Sequence, residues 1–119
     1  MKYSTKTTGA SGEELAAACL IDKGYRIIKR NFRFGRNGEI DIIALDGDVL
    51  VFVEVKARSS LAYGPPEAAI PPSKQRTLRR VATGYCYING VHDRECRFDV
   101  IAIDLYEKPP AVRHILHAF

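Results

Sequence analysis

Two apolar runs meeting at Asp46-Gly47-Asp48 constrain this chain more than any other feature. Residues 39–45 (EIDIIAL) and 49–58 (VLVFVEVKAR) flank an Asp-Gly turn, a strong β-hairpin signal. The composition is that of a buried strand pair, so the fold must supply layers to cover it. Yet Glu39, Asp41, Glu54 and Lys56 sit among Ile, Val, Leu and Phe. Burying an unpaired charge is costly, and buried charges are normally paired or bound to a metal.

The surrounding elements follow from local signals. Residues 1–10 read as flexible. Ser11 with Glu14 three residues later reads as a capping box, opening a helix that runs to about Lys23 and stops at Gly24. Tyr25–Phe34 is rich in β-formers and reads as a strand; Gly35-Arg36-Asn37-Gly38 is a turn. Ser59–Ser73 is a loop with four prolines, and Tyr63 and Gly64 are its candidates for touching a substrate. Lys74–Ile88 carries Leu78, Val81, Ala82 and Tyr85 on one helical stripe. Arg97–Leu105 reads as a strand, and Val112–Phe119 as a further short one. The order α-β-β-β-α-β predicts one α/β domain over 1–119: a mixed central sheet with helices on its faces.

Composition narrows the classes. The chain has 119 residues, 46% hydrophobic and 27% charged, as in ordinary globular proteins. Its longest apolar runs, Leu15–Ile21 and Val49–Val53, fall short of the roughly 20 residues a membrane span needs. The polar N-terminus has no apolar signal-peptide core, so the expected location is the cytoplasm, with no membrane partner. Cys19, Cys86 and Cys96 are an odd set without CxxC spacing, which argues for reduced thiols. His114 and His117 are expected at the surface, and Asp99 is expected to have a structural partner.

Strand alternation decides whether the misplaced charges meet. Glu39 and Asp41 share one face of their strand; Glu54 and Lys56 share one face of the next. A two-residue turn at Asp46-Gly47 sets Glu54 opposite Glu39 and diagonal to Asp41. A four-residue loop sets Glu54 opposite Asp41. Both cluster Asp41, Glu54 and Lys56, whereas a three-residue loop without a bulge splits them. Clustered carboxylates repel unless a cation lies between them, and carboxylate oxygens are ligands that magnesium favours. The expected site therefore holds Mg²⁺ (or Mn²⁺) on Asp41, Glu54 and the backbone carbonyl of Val55, with Lys56 positioning a water or stabilising developing negative charge. Such a plan suits metal-assisted phosphodiester hydrolysis.

The net charge of +4 matters where it clusters. Lys29-Arg30-Asn31-Phe32-Arg33-Phe34-Gly35-Arg36 interleaves basic and aromatic residues, a pattern suited to phosphate contact and base stacking. Lys74, Arg76, Arg79 and Arg80 form a second basic cluster. Both flank the acidic residues in sequence, which points to a nucleic-acid partner.

An acidic residue on one strand followed by Glu-x-Lys on the next resembles the PD-(D/E)xK nuclease superfamily; here these are Asp41 and Glu54-Val55-Lys56. A closer resemblance is to the YraN-like family of predicted endonucleases, similar to archaeal Holliday-junction resolvases. Its matching stretches are Gly12-Glu13 with Ala16, Arg30-Asn31, Gly38-Glu39-Ile40-Asp41, Val51–Lys56 with Arg58, Lys74, and Arg97-Phe98-Asp99. Ile40 stands where the superfamily's name places Pro, as the Gly-Glu-x-Asp form of that family has it. The resemblance implies a restriction-endonuclease-like core and adds Glu13 to the catalytic set of Asp41, Glu54 and Lys56. Glu39 is assigned behind these, either supporting them or as a ligand. Arg30, Arg33, Arg36, Arg58, Lys74 and Arg76 are the expected nucleic-acid contacts. Similar resolvases act as dimers, because a four-way junction has two strands to cut, so a homodimer is a further implication.

The reading is a metal-dependent DNA endonuclease, on branched or recombination intermediates. The alternatives are a nucleic-acid-binding module with a nuclease-like fold and little activity, and a protein that works through partners with a purely structural acidic cluster.

Overall fold

The computed structural model describes residues 8–60 and 70–119. In chain order the elements are α1 (Thr8–Asp22), β1 (Arg26–Arg33), β2 (Glu39–Asp46), β3 (Val49–Arg58), α2 (Pro72–Ile88), β4 (Cys96–Asp104) and β5 (Ala111–Ile115). The five strands form one sheet in the order β1-β2-β3-β4-β5. Every neighbouring pair is antiparallel except β3 and β4. That exception follows from chain order, since a helical crossover between two strands permits parallel pairing where a tight hairpin does not. Tyr63 and Gly64 lie outside the described residues. Among those residues, no helix is long and apolar enough to cross a membrane.

The hairpin turns one residue later than a two-residue turn at Asp46-Gly47 would. Gly47 and Asp48 form the turn, and Asp46 pairs with Val49. Gly47 takes φ 60°, as the first central residue of a tight hairpin turn requires. Asp46 stays in the ladder while its carboxylate accepts a bond from Arg97 at 3.0 Å. The result is the register foreseen for the four-residue loop, with Ile42 opposite Val53.

Each sheet face carries its own core. On one side Ala16, Ala17 and Leu20 of α1 pack on Ile42, Ala44, Val51, Val53, Ile101 and Ile103. On the other, Leu78, Val81, Ala82 and Tyr85 of α2 pack on Ile40, Ile43, Leu50 and Phe52. The helical stripe read from the sequence is thus the buried face of α2.

One expectation at the N-terminus needs correction. Residues 8–10 are helical, and the rest of the 1–10 segment lies outside the described residues. The helix begins a turn before Ser11, so Ser11 and Glu14 lie within it and do not form a capping box. At Gly12 a Cβ would fall 2.8 Å from the Ala57 Cβ, so α1 lies almost directly on β3 there. This close approach delivers Glu13 to the sheet.

Candidate metal and nucleic-acid site

The β2–β3 ladder runs from the turn only as far as Ile42–Val53. Beyond it, β2 stays paired with β1 to Glu39, and β3 stays paired with β4 to Arg58. The sheet therefore opens into a fork whose arms are residues 39–41 and 54–58. In the fork the Val55 amide donates to Asp41 Oδ2 at 2.8 Å, so a carboxylate takes the place of a strand carbonyl.

Alternation also fails at this level. Ile42 belongs to the α1-side core, yet both Ile40 and Ile43 belong to the α2-side core. On β1, Asn31 lies between Arg30, paired with Ile42, and Phe32, paired with Ile40, and it takes φ 55°. Asparagine tolerates that left-handed conformation better than most residues. Matched irregularities in two adjacent strands leave Asp41 within reach of groups on both sides of the sheet.

Four carboxylates gather here. Asp41 lies within hydrogen-bonding reach of Glu54. Burial and then the Glu54 charge push the Asp41 carboxyl up to about 7, against the opposing bond from the Val55 amide. Glu13, from α1, is raised by burial and then by Asp41, with Arg30 and Asn31 acting in the other direction. Asn31, with its amide nitrogen turned to the carboxylates, donates to Glu39 Oε2 at 3.0 Å and Glu13 Oε1 at 3.1 Å. Glu54 is buried and borders a shallow surface dip together with Ile40, Phe52, Val53, Leu78, Phe98 and Phe119.

The cations divide into two groups. Lys74 Nζ, from the first turn of α2, lies 3.5 Å from Glu54 Oε2. Arg30 lies 3.8 Å from Glu13 and 3.5 Å from Glu14. Arg33 pairs with Glu39 at 3.1 Å. Arg58 pairs with Asp104 at 3.2 Å and lies over the Tyr106 ring. Arg36 and Arg76 are exposed. Lys56, half-buried two residues beyond Glu54, has no ion-pair partner among the described residues. Much of the expected nucleic-acid set is therefore engaged with carboxylates, and Arg30 and Lys74 belong to the acidic site itself.

Asn31 and Lys74 have roles that the basic pattern concealed. The signal for Asn31 was an amide donor beside a segment with several carboxylates. For Lys74 it was a lysine in a helix first turn with no acidic residue. Gly38 shows how α2 is held there. Its φ is 136°, and a Cβ would come within 2.8 Å of Thr77 Cγ2, so the start of β2 runs directly against α2.

Asp99 lies in a separate, buried network. It accepts two bonds from Arg97, at 2.9 and 3.0 Å, and its Oδ2 lies 2.7 Å from His114 Nε2. Arg97 also donates to Asp46 and Tyr25. Burial raises the Asp99 carboxyl, but bonds from His114, Arg97 and the His117 amide outweigh it and leave it below the ordinary value. His114, expected at the surface, has a side chain only 2% exposed because it completes this network; His117 is exposed.

Among the described residues no three His, Cys, Asp or Glu side chains converge tightly enough to enclose a metal. The close donor set is the pair Asp41 and Glu54. That pair still fits magnesium, which commonly takes one or two protein carboxylates and keeps waters on its other positions. A half-buried Asp41 whose proton affinity is raised by burial and by the adjacent, buried Glu54 is also a donor that a divalent cation would relieve.

The class these features define is a small α/β protein with an acidic fork in a five-stranded mixed sheet. The chain belongs to the family described as Uncharacterised protein family UPF0102, whose model matches residues 12–103. A UPF0102 protein of Geobacter sulfurreducens is 48% identical over 118 residues, covering 98% of this chain and 91% of the relative. One from Alkaliphilus oremlandii is 50% identical over 116 residues, covering 96% and 98%. One from Chlorobaculum parvum is 55% identical over 103 residues, covering 85% and 78%.

Proposed function

We propose that this protein is a divalent-metal-dependent endonuclease that hydrolyses DNA phosphodiester bonds, on a restriction-endonuclease-like core of the PD-(D/E)xK kind. Branched or recombination intermediates are its proposed substrates. The observation that carries the reading is the contact of Asp41 with Glu54 across the open fork, with Lys56 two residues further along the same strand. Asp41 and Glu54 would hold Mg²⁺ or Mn²⁺. When bound, the ion supplies a more acidic water and neutralises charge at the phosphate. The Val55 amide fixes the Asp41 carboxylate and leaves its second oxygen for a ligand. Asn31 holds Glu13 and Glu39 beside the pair, where they can orient waters. Lys56, uncommitted among the described residues, is suited to position a water or to meet the negative charge that develops on phosphate oxygens. Arg36 and Arg76 are available for backbone phosphates.

The test is cleavage of labelled duplex, single-stranded, flap and four-way-junction DNA in Mg²⁺, Mn²⁺ or EDTA. Metal-dependent cutting that Asp41→Asn and Glu54→Gln both abolish is the expected result. Salt-dependent binding of the panel without cutting would replace the endonuclease by a nucleic-acid-binding module.

A further inference from the structure

Lys74 is oddly placed. It lies in the first turn of α2, where the helix dipole disfavours a cation, and that turn contains no acidic residue to balance it. Its ammonium extends to Glu54 Oε2 at 3.5 Å. Glu54 is 8% exposed, while the Lys74 side chain is 45% exposed. The carboxylate is thus confined and the lysine is free to leave. An ammonium there and a divalent ion bonded to Glu54 at about 2 Å would set like charges within roughly 5 Å of each other. The two cations compete for one carboxylate.

We propose that Lys74 is a resident counter-ion, holding Glu54 in the metal-free protein and displaced when a divalent cation binds. Once displaced, its ammonium stands beside the site and is free to meet the anionic substrate. The inference rests on the proposed metal site and adds a positioning role for a residue outside the Asp41, Glu54 and Lys56 set. Lys56 differs in having no such ion pair among the described residues, so of the two lysines it is Lys74 that holds Glu54.

The experiment is a Mn²⁺ titration followed by electron paramagnetic resonance on wild type, Lys74→Gln, Asp41→Asn and, as a charge control, Arg94→Gln. Arg94 is exposed in the connection before β4. Removing the competing ammonium should tighten Mn²⁺ binding about fivefold, as expected for a partly exposed ion pair, with Arg94→Gln within about twofold of wild type. In parallel, amine labelling of wild type read by mass spectrometry should show Lys74 becoming severalfold more reactive on Mn²⁺ addition, relative to exposed Lys29. Unchanged or weaker Mn²⁺ binding by Lys74→Gln, or unchanged labelling of Lys74, overturns the displacement. If Mn²⁺ binding is present in wild type and lost in Asp41→Asn, such a failure leaves the metal site standing. No Mn²⁺ binding by wild type overturns both.

Discussion

Replacing Asp41 by Asn should make the metal-free protein more stable, not less. The Asp41 carboxyl is pushed from the ordinary 3.8 to about 7 by burial and by Glu54. A carboxyl whose affinity for protons is raised by folding destabilises the fold when ionised. The native state binds more protons than the unfolded chain between about pH 4 and pH 7, so stability falls as pH rises through that window. The gap corresponds to a cost of about 4 kcal/mol at pH 8 if Asp41 bore it alone. Because Asp41 is partly exposed and the cost is divided between its burial and the Glu54 charge, about 1–3 kcal/mol is the expected gain for Asp41→Asn. The amide oxygen still accepts from Val55 N, and the amide nitrogen can donate to Glu54. For a chain of this length that gain is a rise in melting temperature of roughly 4–12 °C. Urea denaturation in EDTA, followed by circular dichroism at pH 8, 5 and 4, measures it. More than half of the gain should be gone at pH 5 and most of it at pH 4. Asp41→Ala should stabilise less, because it orphans the Val55 amide at a cost of about 1–3 kcal/mol. An Asn variant equal to or weaker than wild type at pH 8 would refute the claim that Asp41 and Glu54 repel in the metal-free fold.

Gly12→Ala should destabilise by about 1–3 kcal/mol, less up to about 1 kcal/mol returned by helix propensity, because its Cβ meets Ala57 Cβ and neither can rotate away. Ala57→Gly should rescue most of that loss in the double variant, as urea denaturation would show. Asp99→Asn should cost about 3 kcal/mol at pH 7 by leaving Arg97 buried beside a neutral group. Since folding lowers the Asp99 pKa, its contribution is full above about pH 4 and is lost as pH falls further, so the deficit should shrink on acidification in a denaturation series.

The hairpin, the helical stripe on α2 and the mixed sheet were legible because they rest on local periodicity. Asp41 beside Glu54 was legible for the same reason: side chains two apart share a face, and the turn admits few registers. The positions of Glu14, Arg30 and Lys74 were not. A capping-box pattern inside a longer helix reads the same as one at its start. A basic run reads the same whether its charges face solvent or a carboxylate across the sheet. Asn31 was hidden more deeply, because its role depends on a break in alternation matched across two strands, and periodicity cannot anticipate where a pattern fails. His114 was misplaced because its partners, Asp99 and Lys23, are distant in sequence.

The two acidic centres of this sheet answer to opposite physics. Around Asp99, Arg97 supplies a bidentate partner and His114 completes the set, so the charge is stabilised by folding and the network holds β4 against β5 and the hairpin. Around Asp41 the charge that acts most strongly is another carboxylate's, and the cations on hand are shared or removable: Arg30 divides itself between Glu13 and Glu14, and Lys74 reaches Glu54 from an exposed helix turn. A purely structural cluster would be expected to resemble the first centre. The second is placed where the β2–β3 ladder stops, with the Asp41 carboxylate joining the strands through the Val55 amide in place of backbone pairing, so the fork can tolerate the opening a ligand requires. Local instability confined to a fork, in a sheet whose two cores are otherwise continuous, is the arrangement expected of a site that awaits a counter-charge.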